Sequence, residues 1–170
     1  MTMRGIPLVV RPCGLSDVSR VRVLLRECWH STYDALLGPE EAKRTGRRAY
    51  SLINLGAVIA RSLLSPTLTV LIAVRDGAPV GYACAQRDGA EVILYGLYVH
   101  PSCKSQGIGS ALLEEVITRY AGVKAIRLEV LKGNSASIAW YQAKGFVTYG
   151  DTPRATGTAM AAALYMDKQL

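Results

Sequence analysis

Two hydrophobic rhythms divide the chain. From residue 16 to 64 apolar positions recur every three or four residues, the spacing of helices packed on one side. From Leu68 onward short apolar runs alternate with turn residues, as in strands and hairpins. Leu8 to Arg11 reads as a short strand closed by Pro12. Ser16 is placed as an N-cap with Asp17 in the first turn, opening a helix through Cys28 with Val18, Val21, Leu24, Leu25 and Cys28 as its buried stripe. Glu40 to Leu64 reads as helical, with a break at Asn54-Leu55-Gly56. Leu68 to Val74 and Val80 to Gln86 are strands joined by Asp76-Gly77, and Asp88-Gly89 turns the chain again. Val92 to Val99 is apolar almost without interruption, which predicts a central strand buried on both faces. Gly96 interrupts it and predicts a bulge or a close backbone approach.

Beyond His100-Pro101, Ile108, Leu112, Val116 and Tyr120 recur every four residues and predict a helix. Ala125 to Val130 is then a buried strand, parallel to Val92–Val99 because a crossover helix joins them. Asn134 to Ala143 is a second helix, stopped by Lys144-Gly145. Phe146 to Gly150 reads as a strand, Asp151 to Thr158 as a polar loop and Met160 to Lys168 as a closing strand. The sum is one mixed α/β domain over residues 1–170, a twisted sheet of about seven strands flanked by helices.

Composition narrows the class. With 170 residues and half of them hydrophobic, the chain can bury a real core. No signal peptide is visible, and the most apolar region, Ala49 to Val74, holds Arg61 and Pro66, so no membrane span is expected. Cys13, Cys28, Cys84 and Cys103 have no metal-ligand spacing; reduced thiols in a cytoplasm and the absence of a metal are the simplest account. The net charge of +7 is dispersed, with Lys43-Arg44 and Arg47-Arg48 as a modest cluster and no aromatic-interleaved basic stripe. A solvated helix face is expected there, and no nucleic-acid partner. The general positive field favours a polyanionic ligand.

The candidate chemistry begins at Lys104-Ser105-Gln106-Gly107-Ile108-Gly109-Ser110, where glycines open a helix. The leading N–H groups of a helix lack intrahelical partners and carry partial positive charge, so a phosphate can approach them. Lys104 adds a point charge. Three readings fit such a stretch: a plain tight turn, a dinucleotide site, or a coenzyme A cradle. Glu129 lies 20 residues beyond Gly109, as a dinucleotide site would want. Against that site, Leu112 stands where its third glycine belongs. No Gly-Lys-Ser/Thr occurs, which excludes a P-loop.

Leu97-Tyr98-Val99-His100-Pro101, Lys104-x-x-Gly107-x-Gly109 and Ala111-Leu112-Leu113 closely resemble the acetyl-CoA signature of the GNAT family of N-acetyltransferases. Asn134 to Phe146, with Trp140-Tyr141 and Lys144-Gly145, resembles that family's next motif at the expected spacing. The match spans about Leu68 to Tyr149, and Lys104 stands where the family usually carries Arg or Gln. The resemblance implies acetyl-CoA as acyl donor, transfer to a small-molecule or protein amine in a ternary complex, and a possible homodimer. It assigns the donor to Leu97, Tyr98, Val99, Lys104, Ser105, Gln106, Gly107, Ile108, Gly109, Ser110 and Asn134. Tyr141 would protonate the departing thiolate, and Glu91, one residue before the apolar strand, is the candidate base. Backbone groups freed at Gly96 would hold the carbonyl oxygen. Trp29 to Gly38 resembles the segment that walls the family's acceptor side, where Trp29 and Tyr33 share a helix face and His30 is a surface or cap residue. A coenzyme A-binding domain without catalysis is the alternative.

Overall fold

The structure is a computed structural model that describes residues 7–156 and 159–170. Two Asp-Gly corners, with Asp76 at φ 51°, Gly77 at 71° and Gly89 at 60°, reverse the chain twice. They join β2 (Leu68–Arg75), β3 (Ala78–Asp88) and β4 (Glu91–Val99) into an antiparallel meander, and β1 (Val9–Pro12) adds to β2 at its outer edge. After α4 (Ile108–Arg119), β5 (Ala125–Leu131) returns parallel to β4. The last two strands, β6 (Val147–Thr156) and β7 (Ala159–Gln169), are antiparallel, and β7 lies inside, giving the order β1-β2-β3-β4-β5-β7-β6. The expected seven-stranded mixed α/β sheet is thus present.

Each face of the sheet has its own core. On one, Val21, Leu24, Leu25 and Cys28 of α1 (Val18–Leu37) and Leu55 and Ile59 of α3 (Leu52–Leu64) pack on Val70, Ile72 and Tyr82. On the other, Ile108, Leu112 and Val116 of α4 pack with Ala83, Leu94, Ile126, Leu128 and Met166. Gly81 sets how close α4 comes to the sheet. A Cβ built there would lie 2.9 Å from both Ile108 Cγ2 and Leu112 Cδ1. Gly81→Ala must therefore push α4 outward, at a cost of about 1–3 kcal/mol. Urea unfolding checks this, and an unchanged midpoint would mean that the helix shifts freely.

Several boundaries differ from the sequence reading. The first helix continues past Cys28 to Leu37, because nothing breaks it until Gly38 (φ 83°) and Pro39. Ser16 is not the cap. A 3₁₀ turn over Leu15–Asp17 precedes α1, and the Asp17 carboxylate accepts from the Gly14 N–H at 2.9 Å and from the Arg11 guanidinium. The helical stretch that follows breaks at Tyr50-Ser51 rather than at residues 54–56, separating α2 (Pro39–Ala49) from α3. Ser51 Oγ caps α3 by accepting from the Asn54 N–H at 3.2 Å, and Gly56 is tolerated inside the helix.

The polar stretch from Asp151 is strand through Thr156, while residues 157–158 of the expected loop lie outside the described residues. β6 is an edge strand, where the donor missing at Pro153 costs little. No described helix is long and apolar enough to cross a membrane. The four cysteines are free thiols, three buried and Cys103 half-buried.

Candidate active site

The site begins where the sheet comes apart. β4 and β5 pair only from Glu91↔Ala125 to Leu94↔Leu128. On the other edge of β4, Cys84 faces Gly96 while Ala85 faces Leu94, so Tyr95 is an extra residue. Such a bulge bends its strand. The bulge expected at Gly96 thus falls one residue earlier, and beyond it the β5-facing edge of β4 has no β5 partner. A cavity of about 550 Å³ opens in this gap. The apolar run of β4 is therefore not buried on both faces: its second half lines the cavity, and Tyr95 is 62% exposed.

One end of the cavity is the glycine-rich turn. Gly107, the N-cap of α4, sits at φ 78°, and Ser105 at φ 61°, so the turn coils back on itself ahead of the helix. The first intrahelical bond there is Ala111 N–H to Gly107 O at 3.0 Å, which leaves the N–H groups of Ile108, Gly109 and Ser110 ahead of it. The two glycines have different reasons to be glycine. Gly107 needs the left-handed backbone, with open space where a side chain would be. Gly109 is small because a Cβ would sit 3.2 Å from Cζ2 of Trp140, so it serves packing. Leu97, Tyr98, Val99, Lys104, Ser105, Gly107, Ile108, Gly109, Ser110 and Asn134 all line the cavity. Gln106 does not; its amide oxygen accepts from Arg75 outside.

α5 (Ser135–Ala143) brings the phenol of Tyr141 to the same cavity. Its cap is Asn134, whose Oδ1 accepts from the Ser137 N–H at 3.3 Å. Tyr141 is packed edge-on against Trp140 at 5.1 Å and Phe146 at 5.3 Å between ring centres. Burial pushes its phenol well above the ordinary value, so it stays protonated across the neutral range. The facing wall is aromatic. Trp29 and Tyr33 stack at 4.0 Å, Trp29 Nε1 donates to Ala42 O at 2.7 Å, and the Tyr50 hydroxyl donates to that of Tyr98 at 2.8 Å. His30 sits outside this wall, bonded to Asp34 at 2.9 Å.

The candidate base is not brought to the cavity. Glu91 stands at the amino end of β4, the end still paired to β5, and its carboxylate holds Arg127 Nη2 at 2.7 Å. The carboxylate that does line the cavity is Glu129 of β5. Among the described lining residues only Lys104 and Glu129 carry charge, one on the glycine turn and one on the splayed strand. The sequence held a signal for it: Glu129 is the single acidic residue of an otherwise largely apolar strand, set between Leu128 and Val130.

Comparison with known proteins gives the family and the fold. The Acetyltransferase (GNAT) family matches residues 21–146. A ribosomal-protein alanine N-acetyltransferase of Escherichia coli is 36% identical over 74 residues, which is 42% of this chain and 50% of that protein. The chain thus matches only about half the length of such curated relatives. Among solved structures, the PaiA N-acetyltransferase of Thermoplasma acidophilum, in complex with coenzyme A, superposes with a TM-score of 0.85 at 24% identity, over 97% of this chain and all of that one. The E. coli ribosomal-protein alanine N-acetyltransferase superposes with a TM-score of 0.68 at 20% identity, over 96% and 94%. With its family signature spanning most of its length and its fold shared with these enzymes, the chain belongs to the GNAT family of acetyltransferases.

Proposed function

We propose that this chain transfers an acetyl group from acetyl-CoA to a primary amine by direct attack, with both substrates bound at once. One observation carries the reading: a glycine-rich helix start, a split sheet edge, a buried phenol and a carboxylate share one cavity. The residues suit the donor. Lys104 and the leading N–H groups of α4 face a diphosphate, and the unpaired edge of β4 at Leu97 and Val99 can accept and donate along a pantetheine arm. Bound acetyl-CoA supplies a thioester carbonyl, at which a C–N bond forms and the C–S bond breaks.

The chain's own groups handle the protons. Glu129 takes the role first sought in Glu91, accepting the amine proton directly or through a water. Backbone N–H groups at the Tyr95 bulge hold the carbonyl oxygen as it gains charge. Tyr141 donates its phenolic hydrogen toward the departing sulfur. E. coli relatives are named for acetylating an alanine of a ribosomal protein, which supports a protein amine among the acceptors of this chain. Four free thiols suit a reducing compartment such as the cytoplasm.

Thermal unfolding with acetyl-CoA, then free-thiol release with a panel of amines, tests the reading. At about a hundred times its Kd the donor adds roughly 2.7 kcal/mol, and thus a rise in Tm of about 5–10 °C for a chain of this size. A rise with NADH instead of acetyl-CoA would overturn it. A rise with acetyl-CoA and no thiol release with any amine would leave a coenzyme-binding domain without catalysis.

A further inference from the structure

Side chains alternate along β5, so the burial of Ile126, Leu128 and Val130 in the core sends Arg127 and Glu129 to the opposite face. The same holds on β7, where Leu164 and Met166 pack inward and Tyr165 and Asp167 point with Glu129. Glu129 and Tyr165 are direct partners in the β5–β7 register. On β6, Tyr149 is the extra residue of another irregularity, between Thr148 and Gly150, and stacks on Tyr165 at 5.8 Å with 20° between the rings. Arg127 lies 5.5 Å above the Tyr149 ring and is held from below by Glu91 at 2.7 Å.

A row therefore runs across the strands, from Tyr95 and Glu129 in the cavity lining to Tyr165 and then Tyr149. Tyr149 is 52% exposed, and neighbouring Val147 62%. Among the described residues the helices of this face pack chiefly on β2 and β3, α1 walls the cavity end of the row with Trp29 and Tyr33, and the outer end at Tyr149 and Val147 stays exposed. A stacked tyrosine pair, steadied by a cation that is itself ion-paired, is a rigid apolar surface continuous with the reactive cavity.

We propose that this row is a docking ledge for the acceptor, which is the free amino end of a polypeptide whose first residues lie in extended form over Tyr165 and Tyr149. The inference rests on the N-acetyltransferase reading above and goes beyond it by naming the acceptor's shape. Glu129 attracts the terminal ammonium at the cavity mouth. From β5 across β7 to β6 is two strand spacings, about 10 Å, which an extended chain covers in about three residues. The rings then face the second and third side chains, and apolar ones gain most. Single amino acids and polyamines reach the cavity without using the ledge.

Amide-blocked peptides of one, two, three and five residues with an N-terminal alanine, assayed by free-thiol release, test this. kcat/KM rises with length to about the third residue and is flat beyond it. Tyr149→Ala, at an exposed position, removes about tenfold of kcat/KM for the three-residue peptide, the size of one aromatic contact. It leaves the one-residue amide rate and the acetyl-CoA shift in Tm unchanged, whereas Tyr149→Phe restores the longer peptide. A flat length series in the unaltered protein, or equal losses for short and long acceptors in Tyr149→Ala, would overturn the ledge while leaving the transfer reaction intact. Absence of any acetyl-CoA shift in the unaltered protein would instead remove the reaction, and the ledge with it.

Discussion

Tyr141→Phe lowers kcat by about a hundredfold, at the low end of what a positioned proton donor contributes, while acetyl-CoA affinity stays within about twofold. The substitution removes one oxygen and keeps the ring, so the edge-on contacts with Trp140 at 5.1 Å and Phe146 at 5.3 Å survive. The loss therefore reports the hydroxyl alone. Stopped turnover with tight donor binding is the signature of a group that acts as the C–S bond breaks. The pH dependence follows from burial. The phenol's pKa is raised above its ordinary value near 10, so its proton is held below that value and lost only above it. Tyr141 thus contributes no alkaline decline in kcat below about pH 10. A kcat equal to that of the unaltered protein, or a parallel loss of donor binding, would return Tyr141 to a purely packing role.

The second large effect separates two glutamates. Glu129→Gln lowers kcat/KM at pH 7 by about a hundredfold, whereas Glu91→Gln leaves it within about twofold. The amide keeps size and shape but cannot take a proton from the amine. Its rate then depends on how much acceptor is already free base, a fraction that rises up to the amine's own pKa, near 7.7–8.0 for a polypeptide amino end. The Glu129→Gln rate accordingly climbs with pH across the neutral range toward that of the unaltered protein. Glu91→Gln breaks an ion pair between half-exposed groups and costs under about 1 kcal/mol of stability. The opposite ranking, with Glu91→Gln the damaged enzyme, would restore Glu91 as the base.

What the sequence made legible was local. Asp76-Gly77 and Asp88-Gly89 announce their turns because few residues adopt those backbone angles. Asn134 announces its helix because its side chain meets an N–H three residues on. The glycine turn ahead of α4 was readable for the same reason. Errors arose where a residue's effect depends on its place in the sheet. The polar run from Asp151 suggested a loop, yet it continues as an edge strand, where a proline is tolerated. The apolar run of β4 suggested burial on both faces, yet half of it borders a cavity.

Glu91 adjoins the reactive strand in sequence, and the family resemblance points to a glutamate there. In a parallel pair, however, ligands gather at the carboxyl ends of the strands, and Glu91 stands at the amino end of β4. Glu129, near the carboxyl end of β5, satisfies that rule, but only once the register of β4 and β5 is known.

The strand order carries one more consequence, for assembly. β7 follows β6 in the chain but lies between β6 and β5. When β6 emerges from the unfolded chain it has no sheet to join, since its sole neighbour has yet to dock. β6 and β7 close locally as a hairpin, just as β2 to β4 do, but that hairpin joins the sheet only where β7 meets β5, further back in the chain. Tyr149 and Tyr165 stack within the hairpin, whereas their place beside Glu129 depends on the β5–β7 seam. The ring pair is thus a local product of the chain, and its position at the cavity the product of a single seam.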